Sequence, residues 1–340
     1  MEQRVGIADV AAEAGVSIST VSVALNDGVN ARISPNTRER IREVAGRLGY
    51  VPNRFARALR GHRSGLVGFL GDRVATTPYA VQMILGAQET LRDAGVLMVL
   101  MDSQHDADLE EREITTLRQH QVDGILYGAF YHRELELPRL LEGIPTVVLD
   151  AETRRSAVSW VVPDETAGAR MAVEELLAHG HRRIGFVTNE DDIPAVHLRL
   201  RGYETALRKA GVRVDPRLIS AAPPTAEGGY RAARHLLDRR GRPTALFCFR
   251  DVMAMGAYHA AAELGLRIPA ELSIIGYDNM SEVAVGLFPG LTTVELPHYE
   301  MGCWAAREVL SLTGSTPGRP KHARLRGRLV RRSSVATAAR

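Results

Sequence analysis

Cysteine is scarce in this chain, with Cys248 and Cys303 the only two in 340 residues. They are too few and too widely separated for a zinc site, and they read as buried free thiols of a reduced compartment. No apolar run reaches membrane length and no signal peptide precedes the first helices, so a cytoplasmic protein without a membrane partner is expected. Catalytic fingerprints are missing as well. There is no phosphate-cradling G-x-x-x-x-G-K, no G-x-G-x-x-G after a strand, no G-x-S-x-G elbow and no H-E-x-x-H. An enzyme would need a nucleophile or cofactor signature, so the expectation is no catalytic residue, no cofactor and no metal. His179-Gly180-His181 could suggest a metal ligand pair, but it reads as a structural helix-to-strand turn.

What is present begins at residues 6–26, GIADVAAEAGVSISTVSVALN. Ile7, Val10, Ala11 and Ala14 recur at helical spacing, and Gly15 supplies a backbone fit for a sharp turn. Ser17 is placed to cap a second helix by accepting from the amide of Ser19 or Thr20. In that helix Val16, Val21 and Leu25 look inward, whereas Ile18, Ser19, Ser22, Val23 and Asn26 share the outer face. That face is small, polar and free of charge, the texture of a helix that lies against base edges. A third helix is signalled by Ser34-Pro35, a cap followed by proline at the first helical position. It runs through Thr37, Ile41, Val44, Ala45 and Leu48 to Gly49. Residues 1–60 hold nine arginines and six carboxylates, an excess equal to the +3 of the whole chain. A basic head on a neutral body is the electrostatic footprint of a nucleic-acid module. The stretch 319–340 has eight basic residues and no acid. Without interleaved aromatics, it reads as surface strand and tail.

The phrase I-A-D-V-A…A-G-V-S-x-S-T-V-S, then S-P-x-T-R, then G-Y-x-P-N…A…L fill the first sixty residues. On these residues the sequence resembles the lactose-repressor (LacI/GalR) family of bacterial transcription regulators. The resemblance implies DNA contacts from Ser17, Ile18, Ser19, Thr20, Ser22, Val23 and Asn26, with Tyr50, Asn53, Arg54, Ala56, Arg57 and Leu59 beyond them. It further implies that Asn53–Arg60 is a hinge, helical only on operator DNA, whose Leu59 wedges into the minor groove. Arg54, Arg57 and Arg60 suit phosphates, which position without reading sequence. One departure stands out. Many relatives carry a guanine-reading arginine where this chain has Val23, so a different half-site is expected.

From Gly65 onward, short apolar runs alternate with amphipathic stretches, as at Leu66–Leu70, Gly124–Tyr127, Ile184–Val187 and Ala245–Phe249. This pattern predicts parallel sheets covered on both faces, and the length calls for two doubly wound lobes. The expected fold is α/β: an all-α helix-turn-helix domain (1–50), a hinge and linker (51–63), and a two-lobed periplasmic-binding-protein-like domain (64–340). Lobe 1 is expected at about 64–162 and 293–325, and lobe 2 at about 163–292 and 326–340. A ligand is expected in the cleft outside the carboxyl ends of the strands.

The resemblance carries Asp72, Arg199 and Asp278 over as effector contacts, and Asp150 follows a strand in the same way. An arginine with opposed carboxylates suits a polyol, whose hydroxyls both donate and accept, although Arg199 and Asp278 could equally pair with each other across the cleft. Arg250 replaces an asparagine usual in the family. It either favours an anionic ligand or pairs with Asp251 or Asp278. Tyr79 and Phe249 either stack on an apolar ligand face or belong to the core. The implied partners are pseudo-palindromic double-stranded operator DNA, a small-molecule effector of the sugar class and a second copy of the chain. The helix at Tyr79–Ala94 is the expected dimer contact. The implied function is a DNA-binding transcriptional repressor switched by that effector. The runner-up is a sugar-binding protein of a transport system.

Overall fold

The computed structural model describes residues 5–25, 33–50, 63–74, 80–314, 316 and 318–338. The chain divides into two compact units, Met1–Ser64 and Gly65–Arg340. In the first, α1 (Ile7–Ala14), α2 (Ile18–Leu25) and α3 (Pro35–Arg47) enclose a small core of Val10, Ala11, Ala14, Val21, Ala24, Ile41, Val44 and Ala45. Gly15 turns the chain at φ +60°, and α1 and α2 meet at 103°, the geometry of a helix-turn-helix. The caps are those expected from the sequence. Thr20 N–H donates to Ser17 Oγ at 3.1 Å and Thr37 N–H to Ser34 Oγ at 3.2 Å. Arg47 reaches back to Glu13 at 2.6 Å and ties α3 to α1.

The second unit contains two six-stranded sheets with strand orders β11-β5-β4-β3-β1-β2 and β12-β10-β9-β8-β6-β7. The first comprises β1 (Leu66–Gly71), β2 (Leu97–Asp102), β3 (Gly124–Glu134), β4 (Thr146–Glu152), β5 (Ser159–Pro163) and β11 (His322–Leu325). The second comprises β6 (Ile184–Asn189), β7 (Ile219–Ala222), β8 (Ala245–Cys248), β9 (Ser273–Asp278), β10 (Thr292–Glu295) and β12 (Arg328–Val330). All pairings are parallel except β10 with β12. Helices cover both sheets, and the inner apolar strands β1, β3, β4, β6, β8 and β9 are largely buried on both faces, as parallel sheets require. His181 is structural: its ring contacts Thr244 Oγ1 at 2.9 Å, Ser273 Oγ at 3.0 Å and the carbonyl of Ala336 at 3.0 Å. It thereby pins the C-terminal segment to the second sheet.

The lobe boundaries differ from expectation at two crossings, by three residues at one and by a single residue at the other. Leu-Thr-Thr at 291–293 was expected to open the return to lobe 1 at 293. Instead Thr292–Glu295 pairs in register with Ile275–Asp278, so the chain stays in lobe 2 through Glu295. The reason is local: Thr293 Oγ1 donates to buried Asp251 at 2.6 Å, and Thr292 N–H donates to Ser334 Oγ at 2.8 Å. Pro163, placed in lobe 2 by the sequence reading, ends β5 of lobe 1. The three crossings are joined side by side. Asp164 N–H donates to the carbonyl of Leu325 at 2.7 Å, and Gly327 lies against the carbonyl of Glu295.

In lobe 1, α4 (Val81–Asp93) packs along α11 (His298–Leu312, the last helix) with glycine on both sides of the contact. A Cβ at Gly86 would collide with the carbonyl of Tyr299, and one at Gly302 with the carbonyl of Met83. Backbone cannot retreat as a flexible side chain can, so the close approach depends on the missing Cβ. Gly86→Ala is expected to cost about 1–3 kcal/mol, lowering the urea midpoint with little change in slope. Gly46→Ala, in α3 with open space around it, should be neutral or stabilising by up to about 1 kcal/mol.

Candidate functional site

In the three-helix unit, α2 presents Ile18, Ser19 and Val23 to solvent, with Ser22 half-buried, while Val21 and Ala24 are buried. Ile18 and Val23 are 47% and 37% exposed, apolar groups left on an otherwise hydroxyl-bearing face. Ser17, Ser19 and Thr20 share hydroxyl contacts of 2.7 and 2.8 Å. This network fixes the start of α2 and holds its outer face in shape. Tyr50 is half-buried against the three-helix core. Asn26, Asn53, Arg54, Ala56, Arg57, Leu59 and Arg60, with nearly all of the 51–63 hinge, lie outside the described residues. So does Tyr79.

The second unit holds a cavity of about 370 Å³ between its lobes. It opens where strands of both sheets end, as the doubly wound pattern dictates. Phe130, Tyr131 and His132 of β3 and Asp150 of β4 face it from lobe 1. Asn189, Phe249, Arg250 and Asp278 face it from lobe 2, together with Glu165 and Arg199 from α6 (Glu165–Ala178) and α7 (Pro194–Lys209). Leu296 and His298 come from the crossing. A larger hollow of about 740 Å³ lies beside Met280, Glu295 and Arg328. It shares Asp278, Leu296 and His298 with the cleft but not Arg199, Glu165 or Asp150, which line only the smaller cavity.

Arg199 is its buried anchor. Its Nε donates to Glu165 Oε2 at 2.8 Å and its Nη2 to Oε1 at 3.1 Å, and Nη1 donates to the carbonyl of Phe249. Its guanidinium lies over the rings of Tyr277 at 3.7 Å and Phe249 at 4.2 Å. Burial opposes its charge, but Glu165, Tyr277 and Asp278 together outweigh burial and hold its pKa above the ordinary value. Asp278 lies 3.9 Å from Arg199 and takes Arg250 Nε at 3.1 Å. Of the alternatives left open for Arg250, the structure selects pairing with Asp278. Asp251 is shut away from the cleft. Burial pushes its carboxyl up to about 8, while Thr293 Oγ1 and the Met280 N–H donate to it.

Asp150 is 3% exposed, has φ +57°, and its Oδ1 has no hydrogen-bond partner. Burial first, and then the nearby charges of Glu165 and Asp278, push its pKa well above the usual carboxylate range. Asp278 and Asn279 also adopt positive φ, at +107° and +53°. Left-handed backbone costs a non-glycine residue about 1–3 kcal/mol, a cost that Asp150 and Asp278 carry at the cleft wall. His298 is buried, which drives its pKa down to about 4 and keeps it neutral.

Asp72 is 4% exposed and is not among the residues lining the cavity. Arg133 Nη2 donates to it at 2.5 Å and His105 Nδ1 lies 2.7 Å away, so its carboxylate is engaged inside lobe 1. Sequence reasoning missed Glu165, His132, Phe130 and Tyr131. The aromatic pair arises because β3 continues past its apolar run through an irregularity between Gly128 and Arg133. Glu165 follows the helix cap Asp164, where an acid is ordinarily read as helix-dipole chemistry.

Two expectations follow. Glu165→Gln leaves Arg199 buried without its counter-ion and should cost about 3–5 kcal/mol in chemical denaturation, as for a broken buried ion pair. Asp150 has the opposite sign. Its folded pKa is raised, so its stabilising contribution is full below the unfolded value of about 4 and is lost as pH rises towards the folded one. Asp150→Asn, tolerant of the left-handed backbone, should therefore melt higher than wild type at pH 8. The gain should fade towards pH 4 in parallel melting curves.

Comparison with known proteins follows the same division. Residues 6–53 match the model for bacterial regulatory proteins of the lacI family, and residues 173–335 match that for a periplasmic binding protein-like domain. The chain is 34% identical to the HTH-type transcriptional repressor CytR of Escherichia coli (strain K12), covering 86% of this chain and 85% of that one. It is 33% identical to the HTH-type transcriptional repressor PurR of Proteus mirabilis (strain HI4320), covering 97% and 96%. Among solved structures, it is similar to the transcriptional regulator CelR in complex with cellobiose. The match is 32% identical with a TM-score of 0.69, covering 97% of this chain and 100% of that one.

Proposed function

The chain belongs to the LacI family of bacterial regulatory proteins, and on that premise we propose how it works. It is a sequence-specific DNA-binding transcriptional repressor whose operator affinity is switched by a small molecule held between two lobes. The carrying observation is that one chain joins an uncharged, outward helix face on a basic three-helix head to a closed, polar cleft in a two-lobed body. A transport-system binding protein would use the lobes but has no use for that head.

In this reading Ile18, Ser19, Ser22 and Val23, with Asn26, meet base edges, and Ser17 and Thr20 fix the helix that carries them. Tyr50, Asn53, Arg54, Ala56 and Arg57 hold the backbone and Leu59 wedges the minor groove. The effector is a sugar or sugar derivative meeting Asp150, Asp278, Arg250 and the Arg199–Glu165 pair, beside Phe249 and Tyr79. The functional unit is a homodimer, matching protein symmetry to a pseudo-palindromic site. Its contact surface is the open edge of lobe 1, where Leu97 and Leu100 of the edge strand and Val81 and Leu85 of α4 are exposed. Such an apolar sheet edge calls for a partner. A ligand that prefers one lobe arrangement shifts the DNA-binding equilibrium by its differential affinity alone.

The test is selection of random duplex DNA by the full-length chain. We expect an inverted repeat with thymine methyls facing Ile18 and Val23. Val23→Ala should relax discrimination there by on the order of 1 kcal/mol, within the span of single-position effects. Failure to enrich any sequence rejects a DNA-reading repressor, while a guanine with unaltered discrimination in Val23→Ala rejects the role given to Val23.

A further inference from the structure

We propose that the effector carries a protonated nitrogen, as an amino sugar does, and that this ammonium is held against Asp150. Its hydroxyls meet Asp278, Arg250 and Asn189. The inference rests on the cleft being the effector site and adds the charge of the molecule it takes.

The argument is a matching of charges. The arginines around the cavity are committed to carboxylates: Arg199 to Glu165, Arg250 to Asp278 and, just outside, Arg133 to Asp72. Asp150 remains. It is buried, its Oδ1 accepts from nothing, and no cation lies within ion-pair distance among the described residues. Asp191 at the rim adds more negative charge and is met by the Asn189 amide at 3.1 Å. The charges that act on Asp150 are those of Glu165 and Asp278, which raise its pKa, and of Arg199 and Arg133, which lower it, with His132 and His298 lining the same space.

A phosphate or carboxylate ligand would add negative charge where the guanidiniums are already neutralised. A hydroxyl would meet one oxygen of Asp150 and leave its carboxyl in the proton-holding state that burial favours. An ammonium offers three donors and cancels the charge. Charge-assisted hydrogen bonds are also the stronger kind. The cavity, about 370 Å³, falls in the range that encloses a small ligand. The replacement of a neutral side chain by Arg250 therefore does not make the cleft an anion receptor, because Asp278 absorbs its charge.

The experiment is a thermal-shift series on the full-length protein at pH 6.5, where the amines are protonated, with matched probes. These are glucose, galactose and mannose, their 2-amino analogues, their uronic acids and their 6-phosphates. At least one amino sugar is expected to bind tenfold or more tightly than its neutral and acidic counterparts. Asp150→Asn should remove that preference. Titration calorimetry of the wild type in buffers of different ionisation heat should show proton release on amine binding, a readout independent of any variant. The proposal is overturned if neutral or acidic members bind as well as the amines, if the preference survives in Asp150→Asn, or if no amine shifts the melting temperature. Affinity for the selected DNA separates this from the underlying reading. A neutral sugar that shifts both melting and DNA affinity overturns the charge assignment and keeps the effector site. No effect on either quantity from any member rejects both.

Discussion

The effector body depends on one buried ion. A guanidinium cannot shed its proton inside a protein, so Arg199 must be charged wherever it is placed. Once buried at 4% exposure, it dictates its surroundings. It needs a carboxylate in fork geometry, which Glu165 provides, and flat faces above and below, which Tyr277 and Phe249 provide. These four residues come from α6, α7, the end of β9 and the end of β8. One charge thus fixes the relative positions of the elements that form the lobe 2 wall. A buried ion pair is weak evidence for net stability. Its value here is that the wall is built before any ligand arrives.

Around that wall the cleft is held in an unrelaxed condition. Asp150, Asp278 and Asn279 sit in left-handed backbone, and Asp150 keeps a buried acceptor without a hydrogen bond from the protein. Both features oppose folding, and both occur where strands end and a ligand would enter. They persist because the sheets on either side are packed on both faces, with cores such as Phe186, Phe247 and Tyr277 stacked through lobe 2.

Much of this was legible in the sequence, for reasons that differ by region. The head could be read because its signals are local: helical spacing from Ile7 to Ala14, a turn at Gly15, hydroxyl caps at Ser17 and Ser34. The lobes could be read because parallel strands are continuous apolar runs. Short strands such as β7 and β10 have no such run, and the crossing was placed too early because nothing in Leu-Thr-Thr reveals a pairing with residues 275–278. Arg199 and Asp278 were legible through resemblance. Glu165, Phe130 and His132 were not, because an acid in a first helical turn and aromatics past a strand end have ordinary explanations. Their role appears only when the two lobes bring them to one cavity.

The side-by-side crossings bear on how the body can move. One strap between two bodies leaves them free to swivel in any direction. Here three straps are bonded into a single flat band, Asp164 to Leu325 and Gly327 against Glu295. A band resists twist and sideways slip but still flexes about its own width. Opening and closing is the movement such a band opposes least, and a ligand between the lobes acts along that line.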